Sequence, residues 1–125
     1  KVNARFLGLL SQDGVLTLAG QARCLIVPSE WYEGFPMTLV EAFSRGTPVI
    51  AARIGGLPEI VECNGAGVMF PPGDCEALHA AARSLLENET VWRTYSDAAW
   101  RAYTQKYSRR PAMEALDAIY KQVLE

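Results

Sequence analysis

This sequence of 125 residues has few of the features that mark common classes of site. Its cysteines (Cys24, Cys63 and Cys75) are odd in number and have no C-x-x-C spacing, which argues against a zinc site or a disulfide framework and fits a reducing compartment. No apolar run approaches the ~20 residues of a membrane span. The formal net charge is −2 and the basic residues form no cluster beyond Arg109-Arg110, so we expect no nucleic-acid partner.

Two other motifs are absent. No G-x-G-x-x-G opens a helix after a strand, which disfavours a dinucleotide-dependent dehydrogenase. No D-x-D triad is present, so we expect no metal site. The chain opens with the polar Lys1-Val2-Asn3, without a signal peptide or an initiator Met, and we therefore expect a cytoplasmic piece of a larger protein.

Composition and hydrophobic periodicity indicate a single globular α/β domain. Half of the residues are hydrophobic, which is enough to bury a core without disulfides. Short apolar runs alternate with helical patterns, and this alternation predicts a parallel sheet flanked by helices. The predicted strands are Ala4 to Leu9, Cys24 to Val27, Val49 to Ala52 and Gly67 to Phe70; the predicted helices are Gln12 to Ala22, Pro36 to Arg45, Leu57 to Val61, Asp74 to Leu86, Glu89 to Tyr107 and a last one from Pro111.

The strand order also predicts where a ligand would bind. In open parallel sheets, ligands bind outside the carboxyl ends of the strands. Three loops are expected there, spanning Pro28 to Phe35, Arg53 to Pro58 and Pro71 to Gly73. Glu33 and most of the motif glycines lie in these loops.

The stretch from Glu33 to Glu41 (EGFPMTLVE) joins a turn to a helix and has a carboxylate at each end. Pro36 suits the first helical position, which would leave the amides of the following residues as free donors beside the positive end of the helix dipole. Such a turn is a ready anion site. Two acids that can accept hydrogen bonds from hydroxyls, on either side of an anion site, suggest a nucleotide-sugar with its diphosphate over the helix.

These residues also carry a family resemblance. Seven residues separate Glu33 from Glu41, and the run PSEWYEGFPMTLVEAFSRGTPVIA resembles the E-x7-E region of glycosyltransferase family 4, the large group of retaining GT-B enzymes. Three later blocks (GGLPEIV, GAGVMF and PPGDCEAL) resemble that family's downstream blocks and follow in the same order. The resemblance therefore covers nearly the whole chain.

The resemblance implies a role for each motif residue. Glu33 would be the catalytic residue that contacts the transferred sugar and supports its developing oxocarbenium charge, and Glu41 would hold the nucleotide ribose. The other donor contacts, mostly backbone amides, would come from Gly34, Phe35, Met37, Thr38 and Leu39. Many members have Gly where this chain has Pro36, so one amide contact is absent here.

The resemblance also implies an architecture and a reaction. Residues 1–125 would be a partial, Rossmann-like C-terminal domain of a GT-B fold, with C-terminal helices at about 89–125. The parent protein would transfer a sugar from a UDP- or GDP-linked donor to a glycan or lipid, with retention and without a metal or other cofactor. Its N-terminal acceptor domain would be missing from this chain, which we expect to have little or no activity alone. Peripheral association of the parent with the inner membrane face is compatible with such a reaction.

Other interpretations stay open at this point. A GT-B-type nucleotide-sugar epimerase would share the donor site, and a non-catalytic interaction module could keep the fold. A phosphorylase would need a lysine for pyridoxal phosphate, and no Lys lies in a motif loop. Taken alone, Glu41 is more typical of an ordinary glutamate on a helix surface. Gly55 and Gly56 allow close backbone approach, but a tight turn needs glycine too.

Overall fold

A computed structural model describes residues 3–124 and confirms an α/β fold; the predicted domain limits at residues 1 and 125 lie outside the described residues. Within residues 3–124, ten elements follow one another. They are α1 (Gln12–Gln21), β1 (Leu25–Val27), α2 (Met37–Phe43), β2 (Val49–Ala52), α3 (Leu57–Val61), β3 (Gly67–Phe70), α4 (Cys75–Leu86), α5 (Glu89–Ala102), a π-helical turn (Tyr103–Tyr107) and α6 (Arg109–Leu124).

Within the described residues, the strands form a three-stranded parallel sheet in the order β1-β2-β3. Val49 of β2 pairs with Leu25 of β1 on one side and with Gly67 of β3 on the other. The central strand β2 is buried along its whole length. The continuously apolar run from Cys24 to Val27 predicts a strand that is buried on both faces, which is wrong. β1 is an edge strand, and Ile26 is 44% exposed because one face of the strand is only partly covered.

The core lies on both faces of the sheet because side chains alternate along β2. Val49 and Ala51 point to one face, where they join a cluster that includes Phe43 of α2 and Leu57 of α3. The other residues of β2, Ile50 and Ala52, pack on the opposite face with the following set, contributed by β3 and α4: Phe70, Ala81 and Leu85.

Side-chain caps explain where three of the helices begin. Ser11 and Asp13 are the two candidate caps that the sequence offers for α1, and Ser11 is the one that accepts a hydrogen bond from the Gly14 amide. Asp74 accepts from the Ala77 amide at α4. Asn88 accepts from the amides of Thr90 and Val91 at α5. Each cap satisfies first-turn donors that have no partner inside the helix.

Two predicted elements near the ends of the chain differ from the structure. Ala4 to Leu9 was predicted to be a strand but is irregular, and Phe6 and Leu9 are fully exposed. No strand of the described residues pairs with this segment, so its apolar pattern has no sheet to join. The helix predicted from Glu89 to Tyr107 changes to π-helical geometry after Ala102.

The last helix begins at Arg109, two residues before the predicted start at Pro111. α6 contacts the π-helical turn, but its apolar side chains are exposed, among them Leu116, Ile119 and Val123. In the part of the chain that the structure describes, no helix is both long enough and apolar enough to cross a membrane.

Replacing Gly67 with Ala is expected to destabilise the sheet by at least about 2 kcal/mol. A Cβ at Gly67 would overlap the carbonyl oxygen of Val49 in the neighbouring strand. The matched control is Gly20→Ala in α1, where the Cβ would meet Arg45 at an ordinary 3.6 Å. That change is expected to stabilise the fold by about 0.5–1 kcal/mol because alanine favours the helix. Denaturant unfolding measures both, and equal effects of the two changes would contradict the packing described here.

Candidate functional site

The structure brings six of the seven residues singled out by the sequence to one open cleft of about 410 Å³. The cleft lies at the carboxyl edge of the parallel sheet, where the sequence predicted a ligand. The residues that line it are Glu33, Gly34, Phe35, Pro36, Met37, Thr38 and Glu41. Leu39 does not line the cleft. The two carboxylates therefore border one concave surface, with the start of α2 between them.

Glu33 is half-buried, and its carboxylate is oriented by a neighbour on the same loop. The Ser29 hydroxyl donates a hydrogen bond of 2.8 Å to Glu33 Oε1. This hydrogen bond restricts the rotamer of Glu33, and the other carboxylate oxygen, Oε2, takes no part in it. The role of Ser29 was not predicted from the sequence. Its signal was available in the i, i+4 spacing of two hydrogen-bonding side chains within one short loop.

The loop that contains Glu33 rests directly on the turn that follows β2. A Cβ at Gly55 would lie 2.8 Å from the carbonyl oxygen of Glu33, and a Cβ at Gly56 would lie 2.9 Å from that of Gly34. The Gly56 amide also donates to the Glu33 carbonyl at 3.4 Å. Gly55 has a φ of +58°, so it serves both the turn and the close approach. Glycine at these two positions allows the Glu33 backbone to lie directly against the turn.

The first turn of α2 differs from the prediction in two respects. Pro36 is the N-cap instead of the first helical residue, because its ψ of 121° is extended, and the helix begins at Met37. The amides of Met37 and Thr38 have no acceptor within residues 3–124. The Leu39 amide was expected to be a free donor, which is wrong: it donates to the Pro36 carbonyl at 3.2 Å. Leu39 is fully buried and packs in the core.

Glu41 lies one turn into α2, on the side of the helix that faces away from the core. The opposite side anchors the helix through fully buried Leu39 and Phe43. Next to Glu41 is a second, largely apolar cavity of about 240 Å³ between α1, β1 and α2. Thr38 and Glu41 line both spaces, so Glu41 lies where the open cleft meets the apolar cavity.

The charged pairs whose pKa values shift lie outside the cleft. A hydrogen bond from Arg53 lowers the pKa of Glu62, and a hydrogen bond from Arg23 lowers that of Glu89. Both carboxylates are exposed and hold neighbouring segments of the chain together. Within residues 3–124, no three His, Cys, Asp or Glu side chains gather as a set of metal ligands.

Comparison with known families and proteins gives a consistent result. A family model described as "Glycosyl transferases group 1" matches residues 1–107. A glycogen synthase from Mycobacterium tuberculosis is 33% identical over 116 residues, which cover 93% of this chain and 28% of that protein.

Two solved structures have the same fold. A sucrose-phosphate synthase from Thermosynechococcus elongatus superposes with a TM-score of 0.84 at 28% identity, covering 96% of this chain and 30% of that one. The Anabaena protein HepE, solved in complex with UDP, gives a TM-score of 0.70 at 26% identity, with coverages of 81% and 29%. This chain thus spans less than a third of the length of these proteins.

Gly56→Ala is expected to loosen the Glu33 loop, because the new Cβ would press on the Gly34 carbonyl. Chymotrypsin reports this directly, since Trp31 and Tyr32 on the same loop are 81% and 88% exposed. We expect cleavage there to become about tenfold faster, as a destabilisation of about 1.4 kcal/mol would produce. The control is Gly34→Ala, whose Cβ meets nothing within 4 Å. Unchanged cleavage in Gly56→Ala would show that the turn does not support the loop.

Proposed function

Because the chain belongs to the group 1 glycosyl transferases, we propose that it is the donor-binding part of a retaining, metal-independent enzyme that transfers a hexose from a nucleotide-sugar. The observation that carries this proposal is the shared cleft between Glu33 and Glu41, at whose centre two amides have no acceptor among residues 3–124. A nucleotide-sugar has an anionic diphosphate between two groups rich in hydroxyls, which matches this order of donors and acceptors.

The diphosphate is proposed to lie over the amides of Met37 and Thr38. These donors are oriented before the ligand binds, so they stabilise charge on the departing nucleoside diphosphate without reorganising. Their contribution takes the place of a metal ion in this proposal. The Leu39 amide is not included, because the Pro36 carbonyl already accepts its hydrogen bond.

Glu33 is proposed to face the transferred sugar. When the bond between the anomeric carbon and the phosphate oxygen breaks, positive charge develops on the sugar ring. A carboxylate oriented by Ser29 stabilises that charge and accepts hydrogen bonds from sugar hydroxyls. At the other end, Glu41 is proposed to accept hydrogen bonds from the ribose hydroxyls, and the apolar cavity beside it leaves room for the base.

The nucleotide is proposed to be UDP or GDP, and the UDP bound to the Anabaena relative supports the former. The acceptor is proposed to be a glycan or lipid held by an N-terminal domain of the whole protein. This division is supported by the relatives' length, since this chain matches only 28% of the glycogen synthase and 30% of the sucrose-phosphate synthase. A nucleotide-sugar epimerase would bind the same donor, and product analysis separates the two: a transferase gives a new glycoside, whereas an epimerase gives a second nucleotide-sugar.

Glu41→Ala is expected to weaken nucleotide-sugar binding about 10- to 100-fold, because hydrogen bonds to a charged group are worth about 1.5–3 kcal/mol. Isothermal titration of the whole protein with a panel of UDP- and GDP-sugars measures this and identifies the base. The control is Glu87→Ala at the far end of α4, where an exposed glutamate pairs with Arg83. No binding of any donor by the folded wild-type protein would contradict the proposed function.

Glu33→Gln is expected to lower kcat for sugar transfer about 10²- to 10³-fold while affinity for the nucleoside diphosphate stays within about twofold. The neutral amide keeps the size of the side chain but does not stabilise positive charge on the sugar. Ser29→Ala is expected to lower kcat less, by about tenfold, since it removes one orienting hydrogen bond. Steady-state transfer assays separate these cases. If Glu33→Gln lowered the nucleotide affinity as much as kcat, this result would contradict the placement of Glu33 beside the transferred sugar.

A further inference from the structure

The Glu33 loop has a third support that comes from the C-terminal part of the chain. The Tyr107 ring packs against Phe35 with 5.6 Å between ring centroids and against Phe43 of α2 at 6.2 Å. Phe35 is two residues from Glu33 and otherwise half-exposed. We propose that Tyr107 is a positioning residue that holds the loop containing Glu33 in its working conformation through the ring of Phe35.

The π-helical turn places Tyr107 under this loop. The Ser108 amide donates to the Tyr103 carbonyl at 2.7 Å, five residues back, so the turn holds one residue more than an α-helical turn. Each residue of an α-helix advances the side-chain direction by about 100°. The wider turn therefore rotates the residues after Ala102 relative to α5. Single π-helical turns are rare in proteins, and those that occur are often found at functional sites.

The Tyr107 hydroxyl is fixed by the side-chain amide of Asn64, whose donors and acceptor all have hydrogen-bond partners. Asn64 Nδ2 donates to the Tyr107 hydroxyl at 3.0 Å and to the Ile60 carbonyl at 2.7 Å. The Asn64 oxygen accepts from Lys106 Nζ at 2.6 Å. Because both amide protons and the oxygen have partners, Asn64 has one orientation. Tyr107 is thereby tied to the end of α3 and has little freedom to leave Phe35.

The two ends of the cleft depend on this contact to different degrees. Although the Tyr107 ring also contacts Phe43, the rest of the buried face of α2, at Leu39 and Ala42, packs in the core, so Glu41 is expected to keep its place without Tyr107. The loop that contains Glu33 has weaker support, from the Ser29 hydroxyl and from the 3.4 Å bond to Gly56. Loss of the Tyr107 ring should therefore release the Glu33 end of the cleft and spare the Glu41 end.

Limited digestion with chymotrypsin and hydrogen–deuterium exchange of the whole protein test the structural part without assuming any activity. No backbone amide of residues 30–37 has an acceptor within residues 3–124, so proteolysis is the suitable probe of this loop. In Tyr107→Leu, cleavage after the exposed Trp31 and Tyr32 is expected to become at least about fivefold faster, whereas amide exchange in a peptide covering residues 39–46 stays unchanged. The matched control is Tyr103→Leu, one turn earlier, where the half-buried ring pairs with Trp100 at 5.9 Å. Tyr107→Phe keeps the ring and is expected to lie between wild type and Tyr107→Leu.

Unchanged cleavage after Trp31 and Tyr32, or an equal increase in the exchange of residues 39–46, would overturn the proposal. If Tyr107→Leu does not fold, Phe35→Ala removes the same contact from the loop side and should give the same pattern. The pattern would be absent if Phe35 and Tyr107 did not support one another.

The kinetic part rests on the proposed function. In Tyr107→Leu, kcat for sugar transfer is expected to fall about tenfold, while the Kd for UDP stays within about twofold. If kcat and the affinity for UDP fell to the same extent, Tyr107 would have a general structural role and the proposal would be overturned. Unchanged kcat and unchanged affinity would also overturn it. A wild-type protein that transfers no sugar would contradict the proposed function, and the cleavage and exchange results would still decide the role of Tyr107.

Discussion

The close contact between the Glu33 loop and the Gly55-Gly56 turn is the constraint on which the rest of the cleft depends. Parallel strands bring the loops after β1 and β2 to one edge of the sheet, and two glycines let their backbones approach to a distance that any Cβ would block. Without that approach, the loop that contains Glu33 would have to move away from the turn, and Glu33 would shift relative to the first turn of α2.

The two ends of the cleft are built differently. Glu41 belongs to a helix whose opposite face is buried in the core, so its position follows from the hydrophobic effect. Glu33 belongs to a loop supported by a hydroxyl, a backbone contact and one aromatic ring. Under the proposed function, the rigid end would bind the nucleotide, and the adjustable end would face the sugar at which the bond breaks.

Much of this arrangement could be predicted from local sequence. Short apolar runs and the caps Ser11 and Asp74 indicated the strands and helix starts because they act over a few residues. The close contact between Phe35 and Tyr107 could not be predicted, since it joins residues far apart in the chain through a π-helical turn that leaves no local pattern. The strand predicted from Ala4 to Leu9 was wrong because apolar composition does not specify a pairing partner, and no strand of the described residues pairs with this segment.

In the proposed function, one donor molecule spans the cleft from Glu33 to Glu41. A crystal structure of the whole protein with an intact UDP- or GDP-sugar would show whether it does. We expect the sugar beside Glu33, the diphosphate within hydrogen-bonding distance of the Met37 and Thr38 amides, and the ribose hydroxyls on Glu41. A donor bound in the reverse direction, or bound outside this cleft, would contradict this expectation.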